Sequence, residues 1–173
     1  RWLAPDNIRS INTGRAIGVI QEVAAKIGWG RSIPAGRGLG LAFYFCHAAH
    51  VAEIAEVSVD KDNKLTLHKV WAAVDVGPII NMSGAITQVQ GAIIDGFSTM
   101  IGQKITMENG RIEQTNLHQY PILRIDKAPE VDVRSFKVTS PRPVSANQLY
   151  HPLRPRSQTQ YLWRPVIGFV RCP

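Results

Sequence analysis

Apolar residues recur along this chain with two periods, and the switches between them outline a mixed fold. From Gly14 to Ile27 the residues Ile17, Ile20, Val23, Ala24 and Ile27 fall three and four apart, which is one face of an α-helix. Thr13 is placed to cap that helix, and Gly28 to stop it. Leu39–Phe45 and Val51–Val59 read as strands. The polar turn Asp60-Lys61-Asp62-Asn63-Lys64 joins Glu53–Val59 to Leu65–Val74 as a hairpin with period two. Helical spacing returns in Gly84–Gly102, where Ile86, Val89, Ile93, Phe97 and Ile101 share a face. Asn81 or Ser83 can cap it after the Gly77-Pro78 turn. Gly91, Ala92 and Gly96 weaken a free helix and suit one pressed against a neighbour. Lys104–Met107 and Arg111–Gln114 flank Asn109-Gly110 as a second hairpin, and Glu130–Arg134 alternates as a last strand. Helix, strands, helix, strands in that order predicts the α+β class.

Composition changes this picture little until the C-terminal stretch. The chain has 173 residues, 45% of them hydrophobic, enough for one domain with a real core. No run approaches the ~18 apolar residues of a membrane helix. Cys46 and Cys172 form neither a disulfide framework nor a zinc pattern. His47 and His50 lie three apart with no third ligand at fixed spacing, so no metal site is expected there. The net charge is +7, but Arg142, Arg154, Arg156, Arg164 and Arg171 stand in a stretch without acids; the rest holds 15 basic against 13 acidic residues. The basic character thus belongs to residues 141–173, which also hold six of the eleven prolines and keep no regular period. A non-catalytic or nucleic-acid-binding protein using that tail is the reading from a different functional class.

Four motifs in order carry a resemblance. Gly36-Arg37-Gly38-Leu39-Gly40-Leu41-Ala42 is similar to "GRGxGxA", and Val74-Asp75-Val76-Gly77-Pro78-Ile79-Ile80-Asn81 to "VDCGxVxNP". Gln88-Val89-Gln90-Gly91-Ala92-Ile93-Ile94-Asp95-Gly96 resembles "QxEGGxxxG", and Asn116 to Arg124 resembles "NxxDYxxxR". Together, over roughly residues 5–135, they resemble the large molybdopterin-binding subunit of the molybdenum hydroxylases, the xanthine dehydrogenase and aldehyde oxidoreductase family, in its isoquinoline 1-oxidoreductase beta-subunit type. Gln90 and Met82 depart from the family's Glu and Pro.

The resemblance implies hydroxylation of a small aromatic N-heterocycle or an aldehyde, with oxygen from water and a glutamate as general base. It implies a molybdenum–molybdopterin cofactor, in the cytosine dinucleotide form, and a [2Fe-2S] cluster in a small partner subunit. It makes Gln88 the amide that meets the pterin and Gly91 the place where helix and cofactor approach closely. The bend Cys46-His47-Ala48-Ala49-His50 is expected near the cofactor pocket. No protein ligand to the metal is implied, no nucleic acid and no membrane span. The compartment stays open between cytoplasm and periplasm, because the chain starts at Arg1 without Met.

The family's "GxGEP" segment, which holds the base, is missing, and Glu53, Glu56, Glu108, Glu113 and Glu130 match no catalytic position. Yet Arg142-Pro143-Val144-Ser145-Ala146-Asn147-Gln148 can be encoded by CGA-CCG-GTG-TCG-GCG-AAC-CAG. Read from each third base, that string gives Thr-Gly-Val-Gly-Glu-Pro, and the remaining tail permits further family wording. A frameshift near Phe136–Ser140 is therefore expected. The expected division is a lead-in with one helix over 1–38, a fragment of the second molybdopterin-binding domain over 39–140, and an out-of-frame irregular tail over 141–173. The catalytic base is absent in this frame, the remainder of the large subunit is a required partner, and the chain alone is expected to be inactive.

Overall fold

The computed structural model describes residues 10–136. The expected tail over 141–173, and most of the irregular lead-in, lie outside the described residues.

Helix α1 spans Thr13–Ile27, with the Asn12 side chain accepting from the Arg15 N–H. Asn12, not Thr13, is therefore the cap. Gly28, at φ 64°, takes the left-handed conformation and its N–H closes the last turn. The buried face follows Arg15, Ala16, Val19, Val23 and Ile27, while Ile17, assigned inward from sequence, is 54% exposed. The stripe runs through 16, 19, 23 and 27, and Ile17 falls beyond its edge.

Strands β1 (Arg37–Cys46), β2 (Ala49–Val59) and β3 (Leu65–Asp75) form an antiparallel meander. β1 and β2 meet in a two-residue turn, with His47 at φ 48° and Ala48 at φ 67°. Two positive φ values match the twist of a hairpin but cost a residue with a Cβ roughly 1–2 kcal/mol. At the β2–β3 turn the Asp60 carboxylate accepts from the N–H groups of Asp62 and Lys64. A register shift at Glu56/Val57 leaves His68 as an extra residue on β3, its Nε2 2.7 Å from the Ser58 hydroxyl.

Helix α2 spans Met82–Gly102 and is capped by Asn81, whose side chain accepts from the Gly84 N–H. The excursion that follows holds a small hairpin of β4 (Met107–Glu108) and β5 (Arg111–Ile112), shorter than the Lys104–Met107 and Arg111–Gln114 runs read from sequence. β6 (Glu130–Phe136) then pairs parallel to β3, giving the order β1-β2-β3-β6.

The two helices cover opposite faces of this sheet. Val19, Val23 and Ile27 of α1 pack with Ala52, Ile54 and Ala73, flanked by Leu39, Leu41, Phe43 and Trp71. Ile93 and Phe97 of α2 pack with Ala42, Ala55, Val57, Leu67, Val70, Ala72 and Val133. β2 is buried on both faces from Ala52 to Val57. Ile86, Val89 and Met100 complete the inner side of α2, but Ile101 is 47% exposed. Positions 86, 93 and 100 repeat every seven residues, and 101 falls on the far side of that line.

Candidate functional site

The turn leading into α2 is held from the opposite face of the sheet. Arg15 approaches Asp75 with two nitrogens, Nε to Oδ2 at 2.8 Å and Nη2 to Oδ1 at 2.7 Å. Nη2 also donates to the Asp75 carbonyl at 3.0 Å, and the Gly77 N–H donates to Oδ1 at 3.3 Å. Both side chains are buried, so the paired hydrogen bonds offset the desolvation of two charges, and loss of either partner would strand the other. Gly77, at φ 83°, turns the chain where the carboxylate holds it.

His50 stands opposite Asp75 in the sheet, and its Nε2 accepts from the Asn12 N–H at 3.1 Å. Its ring lies 4.9 Å from that of Phe45 and 6.2 Å from that of Phe43. Burial first, and the Arg15 charge second, push His50 down to about 4, so it is a neutral acceptor near pH 7. Next to it, the Cys46 Sγ is 2.8 Å from Nδ1 of His47, and burial pushes the thiol up, away from a reactive thiolate. Among the described residues no three His, Cys, Asp or Glu side chains gather as a metal site.

From this fixed turn α2 runs with one side pinned to the sheet and the other open. Gln88 is exposed. Gly91, one turn further on, is also exposed, and a Cβ there would meet nothing within 4 Å. The structure thus puts Gln88 and Gly91 on one accessible face, opposite the buried Ile93 and Phe97. The close packing that small residues suggested applies to Gly96, which is buried, and not to Gly91. Gln90 is half-buried, its Nε2 3.5 Å from the Val131 carbonyl.

The five glutamates are placed elsewhere. Glu56 pairs with Arg37 and Arg31 on the sheet, and Glu130 pairs with Lys69. Glu108 and Glu113 line a shallow hollow on the β4–β5 hairpin, where the Thr106 hydroxyl donates to Glu113. Glu53 is buried in the middle of β2, and burial raises it to about 8. None of these five glutamates lies on α2.

Sequence reasoning missed Arg15 and the isolation of Glu53. The signal for Arg15 was its position: with Val19 and Val23 it shares the i, i+4, i+8 line of an apolar face. The signal for Glu53 was its parity, since it alternates with Ala55 and Val57, both on the α2 side of the sheet.

Comparison with known proteins agrees with this architecture. The molybdopterin cofactor-binding domain family matches residues 21–129. The beta subunit of isoquinoline 1-oxidoreductase from Brevundimonas diminuta is 36% identical over 129 residues, covering 72% of this chain and 16% of that protein. The membrane-bound aldehyde dehydrogenase [pyrroloquinoline-quinone] of Gluconacetobacter polyoxogenes is 29% identical over 142 residues, covering 79% and 18%. The crystal structure of quinoline 2-oxidoreductase from Pseudomonas putida 86 superposes with a TM-score of 0.51 at 22% identity, over 54% of this chain and 12% of that one. The chain spans less than a fifth of the length of the curated relatives it matches. Among the described residues no helix is long and apolar enough to cross a membrane. With its sheet, its two helices and its motifs in the family's order, the chain belongs to the molybdopterin cofactor-binding domain family of the molybdenum hydroxylases.

Proposed function

We propose that this chain is part of the molybdopterin-binding subunit of an oxidoreductase that hydroxylates small aromatic N-heterocycles or aldehydes, with oxygen from water. The observation that carries the reading is the open face of α2, on which Gln88 and Gly91 lie one turn apart while Ile93 and Phe97 anchor the helix from behind. That face fits one wall of a pterin site. The Gln88 amide offers donors and an acceptor to a ring system that has both, and Gly91 keeps the helix surface low enough for close approach. The Arg15–Asp75 pair fixes the turn from which α2 starts, so Gln88 is presented from a rigid element. Bound there, in its cytosine dinucleotide form, the molybdenum cofactor supplies the redox chemistry; the protein supplies orientation and hydrogen bonds. A [2Fe-2S] cluster in a small partner subunit is the proposed electron acceptor, and the bend at Cys46–His50 is proposed to lie near the pocket.

The names of two relatives, an isoquinoline oxidoreductase and an aldehyde dehydrogenase, support the two substrate classes. The chain as written is proposed to be inactive, because its general base is encoded in another frame and the rest of the cofactor site lies in the remainder of the subunit. Nothing among the described residues favours the nucleic-acid reading. Two measurements test the proposal. Sequencing the gene across codons 134–173 checks the frameshift. Molybdenum content and dye reduction with N-heterocycles and aldehydes are then compared between this chain and the full-length subunit with its partner. Turnover by this chain alone, or a full-length subunit free of molybdenum, overturns it.

A further inference from the structure

Glu53 is buried without serving any contact described so far. It is 5% exposed, makes no hydrogen bond to a described residue, and its Oε2 is sealed from solvent. In the sheet it stands between two alanines, Ala42 on β1 and Ala72 on β3. On its own strand Val51 and Ala55 are its neighbours on the same face, and Ile93 and Phe97 of α2 join Ala42, Ala55 and Ala72 in one apolar cluster. Tyr44 and Cys46 of β1 are the titratable groups on this face of the neighbouring strands. Glu53 borders a narrow crevice with Ala42, Phe43, Tyr44 and Val51, too tight to admit a water molecule. A buried carboxyl with no donor is costly. Two alanines beside it leave the face low on either side, where larger residues would have filled the space.

The geometry points to a missing partner: we propose that the crevice over Glu53, closed in this chain, opens to a lysine or arginine side chain carried by the remainder of the long subunit, entering across β1 above Ala42. The inference rests on the reading that this chain is one part of a longer polypeptide, since its curated relatives extend far beyond the matched stretch. β1 is the edge of the described sheet, one strand away from Glu53. A residue beyond that edge, opposite Ala42, stands two strand spacings from Glu53, roughly 10 Å. Lys and Arg are the donor side chains long enough to span that gap, and their charge offsets the burial of an ionised carboxylate. Ala42 is the residue such a side chain must cross, and it has only a methyl group to clear.

The test follows the protonation state of one carboxyl in two settings. Infrared difference spectra between wild type and Glu53→Gln are recorded at pH 7 for this chain and for the full-length subunit. The expected result is a protonated-acid band in this chain and an ionised carboxylate in the full-length subunit, with Glu53→Gln raising the melting temperature of the first and lowering that of the second. A protonated Glu53 in both settings overturns the assignment, as does equal stabilisation of both by Glu53→Gln, or ionisation that accompanies dimerisation of this chain. Molybdenum content is read in parallel. A metal-free subunit with ionised Glu53 ends the functional reading and keeps the assignment; a loaded subunit with protonated Glu53 does the reverse.

Discussion

Two carboxylates lie buried on opposite faces of one sheet, and they are treated in opposite ways. Asp75, on the α1 face, receives two guanidinium bonds and the Gly77 N–H. Glu53, on the α2 face, receives no bond from a described residue and is raised to about 8. Their exposures, 1% and 5%, are nearly alike. Burial alone therefore does not decide whether a carboxyl is charged; the donors around it do. The difference also separates two roles. Asp75 holds the fold that positions α2, while Glu53 weakens this chain as it stands.

The largest effect is expected from cutting the matched side of this pair. Arg15→Met leaves Asp75 buried without its counter-charge, which typically costs about 3–5 kcal/mol. Urea titration of this chain measures it, and a loss below about 1 kcal/mol would erase the contrast. Next comes Glu53→Gln. The unfolded glutamate titrates near its usual 4.5 and the folded one near 8. Between these values the folded state binds the extra proton, so stability falls as pH rises. The glutamine variant removes that fall and should gain roughly 3–4 kcal/mol over wild type at pH 7.5, but little at pH 4.5. His50 works in the other direction: lowered from 6.5 to about 4, it stabilises the fold above 6.5 and that contribution is lost as pH falls toward 4. Wild type should therefore be most stable in a mildly acidic window, and urea midpoints from pH 4 to 9 would show it.

Smaller effects concern the open face of α2. Gly91→Ala adds a methyl group that meets nothing and should stabilise the helix by about 0.5–1 kcal/mol. In the full-length subunit the same methyl group should lower molybdenum retention. Gln88→Ala should change stability by less than about 0.5 kcal/mol, since the side chain is exposed. Its effect should appear only as cofactor lost from the full-length subunit on gel filtration. Unchanged retention in both variants would remove α2 from the proposed site.

Local features were legible in the sequence because their causes are local. Gly28 ends α1 and Asn81 caps α2 through atoms within a few residues, and Asp60 closes its own turn. The positions of Gln88 and Gly91 on one face also follow from helix geometry alone. What escaped depends on partners far along the chain. Arg15 and Asp75 are 60 residues apart, and no periodicity announces that pairing. Glu53 and Glu56 look equivalent in sequence, yet strand parity sends the first into the α2 side and leaves the second to Arg37. The tight turn at His47-Ala48 lacks the Asn-Gly signal and so read only as a bend.

The parallel pairing of β3 with β6 has a consequence in time. Lys69 meets Glu130 across 61 residues, with α2 enclosed in the span between the two strands. The antiparallel meander and α1 are complete before that span is synthesised, so they can form on the growing chain. α2 acquires its Val133 contact only when β6 has left the ribosome and joined the sheet. Pairings of such sequence separation close slowly, on the order of milliseconds to seconds. Until they close, Ile93 and Phe97 lack the part of their cover that Val133 supplies. The helix proposed to face the cofactor thus completes its packing only with β6, and cofactor loading is expected to follow that closure.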